Sequence, residues 1–258
     1  MARYCILGSD DRTMYLRKIL KDEKKDIVSL EKADVVITPI PFTKDKVRIF
    51  GESIKIEDLI ENLSKGKILI SGAIPKEIKV KLESRSIAYF DIMENDSMAI
   101  NNAIPTAEGA INIAIENTDF TLQGSNVLIL GFGKIGKVLA KMLHGIGANV
   151  YCEARKESDI SLINAMGLNS VHLSELNDVI PNMNVIFNTI PSLILDKQKL
   201  KLVDKNSLIV DLASAPGGVD FNFAKEQDIA VKWALALPSK VAPFTAAKYI
   251  KKEIDKII

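Results

Sequence analysis

Gly131, Gly133 and Gly136 stand in G-x-G-x-x-G spacing directly after the apolar run Val127-Leu128-Ile129-Leu130. At a strand-to-helix turn, that spacing suits the binding of a dinucleotide pyrophosphate. The first glycine permits a tight turn and the second lets backbone N–H groups come close to the phosphates. The third lets the helix pack on the strand, and the helix N-terminus adds partial positive charge. Lys134 and Ile135 lie inside the turn and belong to the expected site, as do Asn188, Thr189 and Pro191 after a later strand. Glycine-rich turns also arise for conformational reasons alone, so the pattern needs its context. Here Ile135, Val138, Leu139, Met142 and Leu143 continue at helical spacing after the turn.

The end of the next strand selects the dinucleotide. An acid there accepts hydrogen bonds from the adenosine ribose 2′-OH of NAD, whereas the 2′-phosphate of NADP needs cations and no facing carboxylate. The segment Glu153-Ala154-Arg155-Lys156 offers both kinds of residue. Strand alternation turns Glu153 and Ala154 to opposite faces, so register decides. If Ala154 meets the ribose, Arg155 can grip a 2′-phosphate bidentately and stack on adenine, with Lys156 as a supporting charge. If Glu153 faces the ribose instead, Arg155 is a solvated loop cation.

These residues need an α/β frame, and the chain carries two. Strand-like segments at Arg3–Leu7, Asp34–Thr38, Lys67–Ser71 and Ala88–Phe90 alternate with helical stretches near residues 12–20, 57–63 and 76–83. A second series starts at Val127 and runs through residues 149–152, 185–188, 207–212 and 230–233. The expected architecture is two doubly wound Rossmann-like domains with a C-terminal helix crossing back to the first. Its parts are a substrate-side domain at 1–104, a linker helix at 105–119 starting on Pro105 and Thr106, a nucleotide domain at 120–240, and a final helix at 241–258. A cleft between the domains, at the carboxyl ends of both sheets, is the expected substrate site. Strand-end loops at Thr38–Pro41, Ser71–Pro75, Asn188–Pro191, Asp211–Asp220 and Leu237–Thr245 would line it, although any one of them alone reads as ordinary turn chemistry.

Composition excludes other classes. With 34 basic and 33 acidic side chains in 258 residues, nothing biases the chain toward nucleic acid or an anionic membrane. The apolar runs are far shorter than a membrane span, and residues 1–8 read as a short strand rather than a signal peptide. Cys5 and Cys152 sit in strands of different domains without metal-ligand spacing, so two buried, reduced thiols in a cytoplasmic, metal-free protein are expected.

A resemblance spans essentially the whole chain. Its carriers are Gly8-Ser9-Asp10-Asp11-Arg12 after the first strand, Pro-Thr-Ala-Glu-Gly-Ala from Pro105, the glycine turn, and Ala154-Arg155. To these are added Ala-Pro-Gly-Gly-Val-Asp-Phe from Ala215, and Ala-Leu-Pro-Ser-Lys-Val-Ala-Pro-Phe-Thr-Ala from Ala236. Together they resemble the A subunits of dipicolinate synthases from endospore-forming bacteria. The resemblance implies NADP-linked oxidation of dihydrodipicolinate to pyridine-2,6-dicarboxylate. It also implies a hetero-oligomer with a flavoprotein-like B subunit, in the mother-cell cytoplasm during sporulation. Ser239 departs from a family glycine and Glu153 from a small residue.

The nicotinamide domains of D-2-hydroxy acid dehydrogenases are also similar over the glycine turn, and counting as in them puts the acidic position on Ala154. Their substrate arginine would fall on Ser214 and their acid–base histidine on Lys240, so that chemistry is missing. His144 and His172 are placed as structural or solvent-facing residues. Aromatising a dihydropyridine needs less acid–base power than reducing a ketone. For a dicarboxylate, Lys240 and Arg12 are the candidate cations, helped by Thr38 and by the hydroxyls of Ser71, Thr106 and Ser214. Lys240, Asp211 and Ser214 are the candidates for the catalytic centre, with Asp211 as a possible base or else a partner of loop N–H groups. A different NADP-linked dehydrogenase and a non-catalytic, NADP-binding regulatory protein remain as alternatives.

Overall fold

The computed structural model describes residues 2–63 and 66–258. The expectation of a strand from residue 1 lies outside the described residues at Met1 and is met from Arg3. The first half of the chain runs β1 (Arg3–Ile6), α1 (Asp11–Asp22), β2 (Asp26–Ile27), β3 (Val35–Ile37), α2 (Ile56–Asn62), β4 (Ile68–Ser71), α3 (Lys76–Ser84), β5 (Ala88–Asp91) and α4 (Asp96–Glu116). It continues through β6 (Asn126–Leu130), α5 (Lys134–Ile146), β7 (Asn149–Glu153), α6 (Glu157–Ala165), β8 (Asn169–Val171), α7 (Leu176–Val179) and β9 (Val185–Asn188). The last elements are α8 (Lys197–Leu200), β10 (Leu208–Asp211), α9 (Phe221–Glu226), β11 (Ala230–Trp233), α10 (Leu237–Val241) and α11 (Pro243–Ile257). Two units emerge, one of residues 1–102 with 238–258 and one of residues 103–237.

In the first unit the strands are all parallel, in the order β2-β1-β3-β4-β5. Alternation along them feeds two cores, as a sheet covered on both faces requires. Cys5, Val36 and Leu69 join Leu59 of α2 and Leu82 of α3, while Tyr4, Ile6, Val35, Ile37 and Ile70 join Leu16 and Leu20 of α1. Into this second core α11 inserts Ala247, Ile250 and Ile254. The returning helix is also tied electrostatically. Lys251 Nζ, itself nearly buried, pairs with Glu23 at 2.7 Å and with Asp255 at 2.7 Å, and buried Glu253 accepts from Asn95 Nδ2 at 3.0 Å and Ser97 Oγ at 3.2 Å. The fold class read from the sequence, including this return, is the one observed.

The second unit has the parallel order β8-β7-β6-β9-β10-β11, reversing direction between β6 and β9. Its strands β6, β9 and β10 carry Val127, Ile129, Val185, Phe187, Leu208 and Val210 to one core and Leu128, Leu130, Ile186 and Ile209 to the other. Near-continuous Val, Ile and Leu runs are what a central parallel strand demands. Two short edge strands, β2 and β8, carry too few apolar residues for the sequence pattern to signal them.

The linker helix needs correction. It begins at Asp96 rather than at Pro105, and Pro105 lies inside it. A proline there forfeits one backbone hydrogen bond, at an intrinsic cost of about 3 kcal/mol. Packing offsets this: Met98 is buried in the first unit and Ala107, Ala110 and Ala114 in the second. Residues 105–119 are therefore no separate linker. The Pro238–Pro243 segment, expected as a loop, holds the short helix α10.

If α11 completes the first unit, Ile254→Ala should cost about 2–5 kcal/mol, the usual penalty for emptying such a buried site. Hydrogen exchange should accelerate in residues 3–91 and stay unchanged in residues 126–233.

Candidate functional site

The glycine turn joins β6 to α5. Gly131 has φ +90°, and a Cβ on it would stand 2.7 Å from Thr189 Oγ1. A Cβ on Gly136 would stand 2.1 Å from the Gly131 carbonyl oxygen, so only glycine lets the helix seat there. Gly133 differs, because nothing lies within 4 Å of where its Cβ would be. Gly133 is also the N-cap of α5, and no side chain caps that helix. As a glycine, this N-cap offers no side chain to the start of a thirteen-residue helix, and the space beside its Cα is open. That is the arrangement a pyrophosphate fits.

Register places Leu130 of β6 beside Glu153 of β7. Ala154 is buried with Val150 and Cys152, while Arg155 and Lys156 are exposed. Arg155 has no hydrogen-bond or ion-pair partner among the described residues, so its guanidinium is available to a ligand. Tyr151 packs on the opposite core, and Glu153 follows its face. The Glu153 carboxylate nevertheless curls under the turn, where Oε2 accepts the Gly131 N–H at 3.2 Å. Burial pushes its carboxyl above the usual range, against the opposing effects of the Gly131 N–H, Arg155 and His172. Burial likewise drives the Cys152 thiol up to about 12, which makes it an inert core residue.

At the ends of β9 and β10, Asn188, expected at the cofactor, and Asp211, expected at the catalytic centre, brace the loops from within. Asn188 is fully buried; its Nδ2 donates to Ile190 O at 3.0 Å and to Asp211 Oδ1 at 2.8 Å, and its Oδ1 accepts from Ile190 N at 3.1 Å. Asp211, 0% exposed, also accepts from Ala213 N at 3.0 Å and Gly218 N at 2.8 Å. Of the two roles expected for Asp211, the structure shows the one in which its carboxylate holds loop N–H groups. Thr189 Oγ1 donates to Leu130 O at 2.9 Å and holds the glycine turn from behind. Trp233 Nε1 donates to Ala213 O at 3.0 Å, and the indole stacks on Phe221. The braced loop leaves Ser214 exposed, as Pro191 is in its own loop.

In the first unit the corresponding turn is filled by the chain itself. Asp10 caps α1 by accepting from Thr13 N at 2.9 Å and Thr13 Oγ1 at 2.7 Å. Burial opposes ionisation of Asp10, yet Arg12 and Thr13 hold its carboxyl below the usual range. Arg12, 6% exposed, is committed to Asp10 at 2.8 Å and to Ile40 O at 2.6 Å, so it is not the open cation expected. The Gly8 N–H is taken by Glu52 Oε1 at 2.5 Å. Ser71 is buried and donates to Pro39 O at 3.2 Å. Thr38 Oγ1 is buried without a partner among the described residues. Thr106, expected at a helix start, is buried in mid-helix. Lys240 is exposed on α10, with no ion-pair partner among the described residues. His172 caps a short helical turn and His144 is exposed on α5.

Residues 107–217 match the family described as D-isomer specific 2-hydroxyacid dehydrogenase, NAD binding domain. Residues 21–93 match the N-terminal domain of the dipicolinate synthase A subunit. The dipicolinate synthase A subunit of Bacillus subtilis (strain 168) is 34% identical over 286 residues, covering 99% of this chain and 95% of that protein. The chain belongs to the family of dipicolinate synthase A subunits. Two crystal structures of the family agree in fold. The one from Bacillus halodurans has a TM-score of 0.91 at 28% identity, covering 99% of this chain and 97% of its own. The one from Bacillus subtilis has a TM-score of 0.88 at 29% identity, with 99% and 95% covered.

Within the family's N-terminal match lie Thr38, Ser71 and the Glu52 that closes the first turn, whereas Arg12 precedes it. The roles of Glu52 and Glu153 have no local signal in the sequence, because each acts on a glycine 44 or 22 residues away. Asp10 is legible in principle, since an aspartate three residues before a threonine at a helix start is a capping pattern.

Two glycine variants separate packing from binding. Gly136→Ala should destabilise the second unit by roughly 1–3 kcal/mol through overpacking, read as a lowered thermal midpoint. Gly133→Ala should leave the midpoint nearly unchanged and weaken dinucleotide binding in a calorimetric titration.

Proposed function

We propose that this chain oxidises dihydrodipicolinate to dipicolinate with NADP, as the A subunit of a dipicolinate synthase that works with a B subunit. The observation that carries the reading is the glycine N-cap of α5 with open space at Gly133, followed just past β7 by buried Ala154 and by Arg155, which has no hydrogen-bond or ion-pair partner among the described residues. Family membership supports the substrate. When bound, the dinucleotide supplies a hydride acceptor. The α5 N–H groups bind its pyrophosphate, and Arg155 with Lys156 binds the 2′-phosphate.

Oxidation removes a hydride and a proton from the dihydropyridine ring, and formation of the aromatic ring drives it. Water takes the proton, so no strong internal base is required. This agrees with an Asp211 committed to Asn188 and to loop N–H groups. The protein's task is positioning and exclusion of water. Lys240 anchors one substrate carboxylate as a point charge. Arg12, Ser71, Asn188 and Asp211 act by shaping the loops.

Dipicolinate absorbance and NADPH formation, followed together with the B subunit present, should rise in step with NADP and far more slowly with NAD. No dipicolinate in that assembly would refute the reading. Arg155→Asp should weaken NADP binding by about 2 kcal/mol while NAD binding holds or improves; equal weakening of both would remove Arg155 from the 2′-phosphate site. In the same assembly Lys240→Met should raise KM for dihydrodipicolinate sharply with NADP affinity unchanged. A normal KM with a collapsed kcat would overturn the anchoring role.

A further inference from the structure

Glu153 lies beside the cofactor turn and takes no part in the oxidation itself. It closes β7, is 2% exposed, and gives one oxygen to the Gly131 N–H. Its other oxygen, Oε1, is buried with no hydrogen-bond partner among the described residues. A charged carboxylate with an unmet oxygen in a dry setting costs more than the neutral acid, which still accepts the Gly131 N–H. Burial therefore favours the protonated form. Three groups act on it electrostatically in the opposite sense: the Gly131 N–H just past β6, at 3.2 Å, Arg155 just past β7, and His172 just past β8. His172 is itself held by Glu175, which accepts its backbone N–H at 2.6 Å.

We propose that Glu153 is a specificity-determining residue whose charge state sets the preference for NADP over NAD. The proposal rests on the NADP reading of the site. Neutral, Glu153 braces the glycine turn and leaves Arg155 its full pull on a 2′-phosphate. Ionised, it adds a negative charge beside that phosphate and competes for Arg155, so the phosphate loses more than a ribose hydroxyl does. A glutamate can thus stand at the end of β7 without turning the site toward NAD, provided the acid stays protonated.

The sign is definite. As pH rises through the elevated ionisation of Glu153, the ratio of NAD to NADP dissociation constants should fall. The 2′-phosphate, which takes its second charge near about pH 6, pushes the ratio the other way. Both nucleotides should be titrated calorimetrically against the whole chain from about pH 5.5 to about pH 9, with wild type, Glu153→Gln and Glu153→Leu. Both variants lack the ionisable group, and the second serves if the first does not fold. The neutral variants should show only the rise due to the phosphate. The wild type should drop below them by about fivefold at the alkaline end, as expected for a charge acting across several ångströms of partly solvated protein. Parallel wild-type and variant profiles, with NADP still preferred, would overturn the inference alone. Absence of NADP preference at every pH, in wild type and variants, would overturn the cofactor reading and this inference together.

Discussion

Helix α5 approaches strand β6 so closely that a single methyl group at Gly136 would meet the Gly131 carbonyl. Everything that makes the second unit a cofactor domain depends on that approach. It fixes the helix on the strand, sets the first-turn N–H groups beside Gly133, and leaves open backbone where phosphate oxygens can come within hydrogen-bond range. The turn is then braced from two sides, by the Thr189 hydroxyl on Leu130 O and by the Glu153 carboxyl on the Gly131 N–H. Neither brace needs to touch a ligand to matter.

The two units show how one architecture is put to different ends. Both send their first strand into a glycine with positive φ, Gly8 and Gly131, and both offer that glycine's N–H to a glutamate of the same chain. They diverge one step later. In the first unit Asp10 caps the helix and Arg12 neutralises Asp10, so the positive end of α1 is satisfied internally. In the second, the N-cap is Gly133, which has no side chain to offer the helix. A helix terminus recognises an external anion only when the chain does not supply one.

Much of this was legible in the sequence where a local pattern carries the information. Strand and helix alternation, the glycine turn and the returning apolar stripe of α11 are periodic signals, and the architecture follows from them. Pro105 misled because local propensity argues for a helix start, whereas burial on both sides of the proline outweighs the lost hydrogen bond. The polar strand ends misled in another way. Asp211, Asn188, Ser71 and Arg12 all lie where ligands bind in such folds, but the groups they hold are mainly loop backbone that no sequence pattern announces. Residue type and position locate a strand end; only the partners in three dimensions tell a brace from a ligand contact. Arg155 and Lys240 stand apart because no such partner claims them.

The first unit is split in sequence, with its closing helix supplied by the last residues of the chain, and the second unit lies wholly between the two pieces. Vectorial synthesis therefore delivers every residue of the nucleotide domain before the other domain can complete its core. Until α11 is made, the hydrophobic seat that receives Ala247, Ile250 and Ile254 stays bare, whereas the second unit already has all of its own residues.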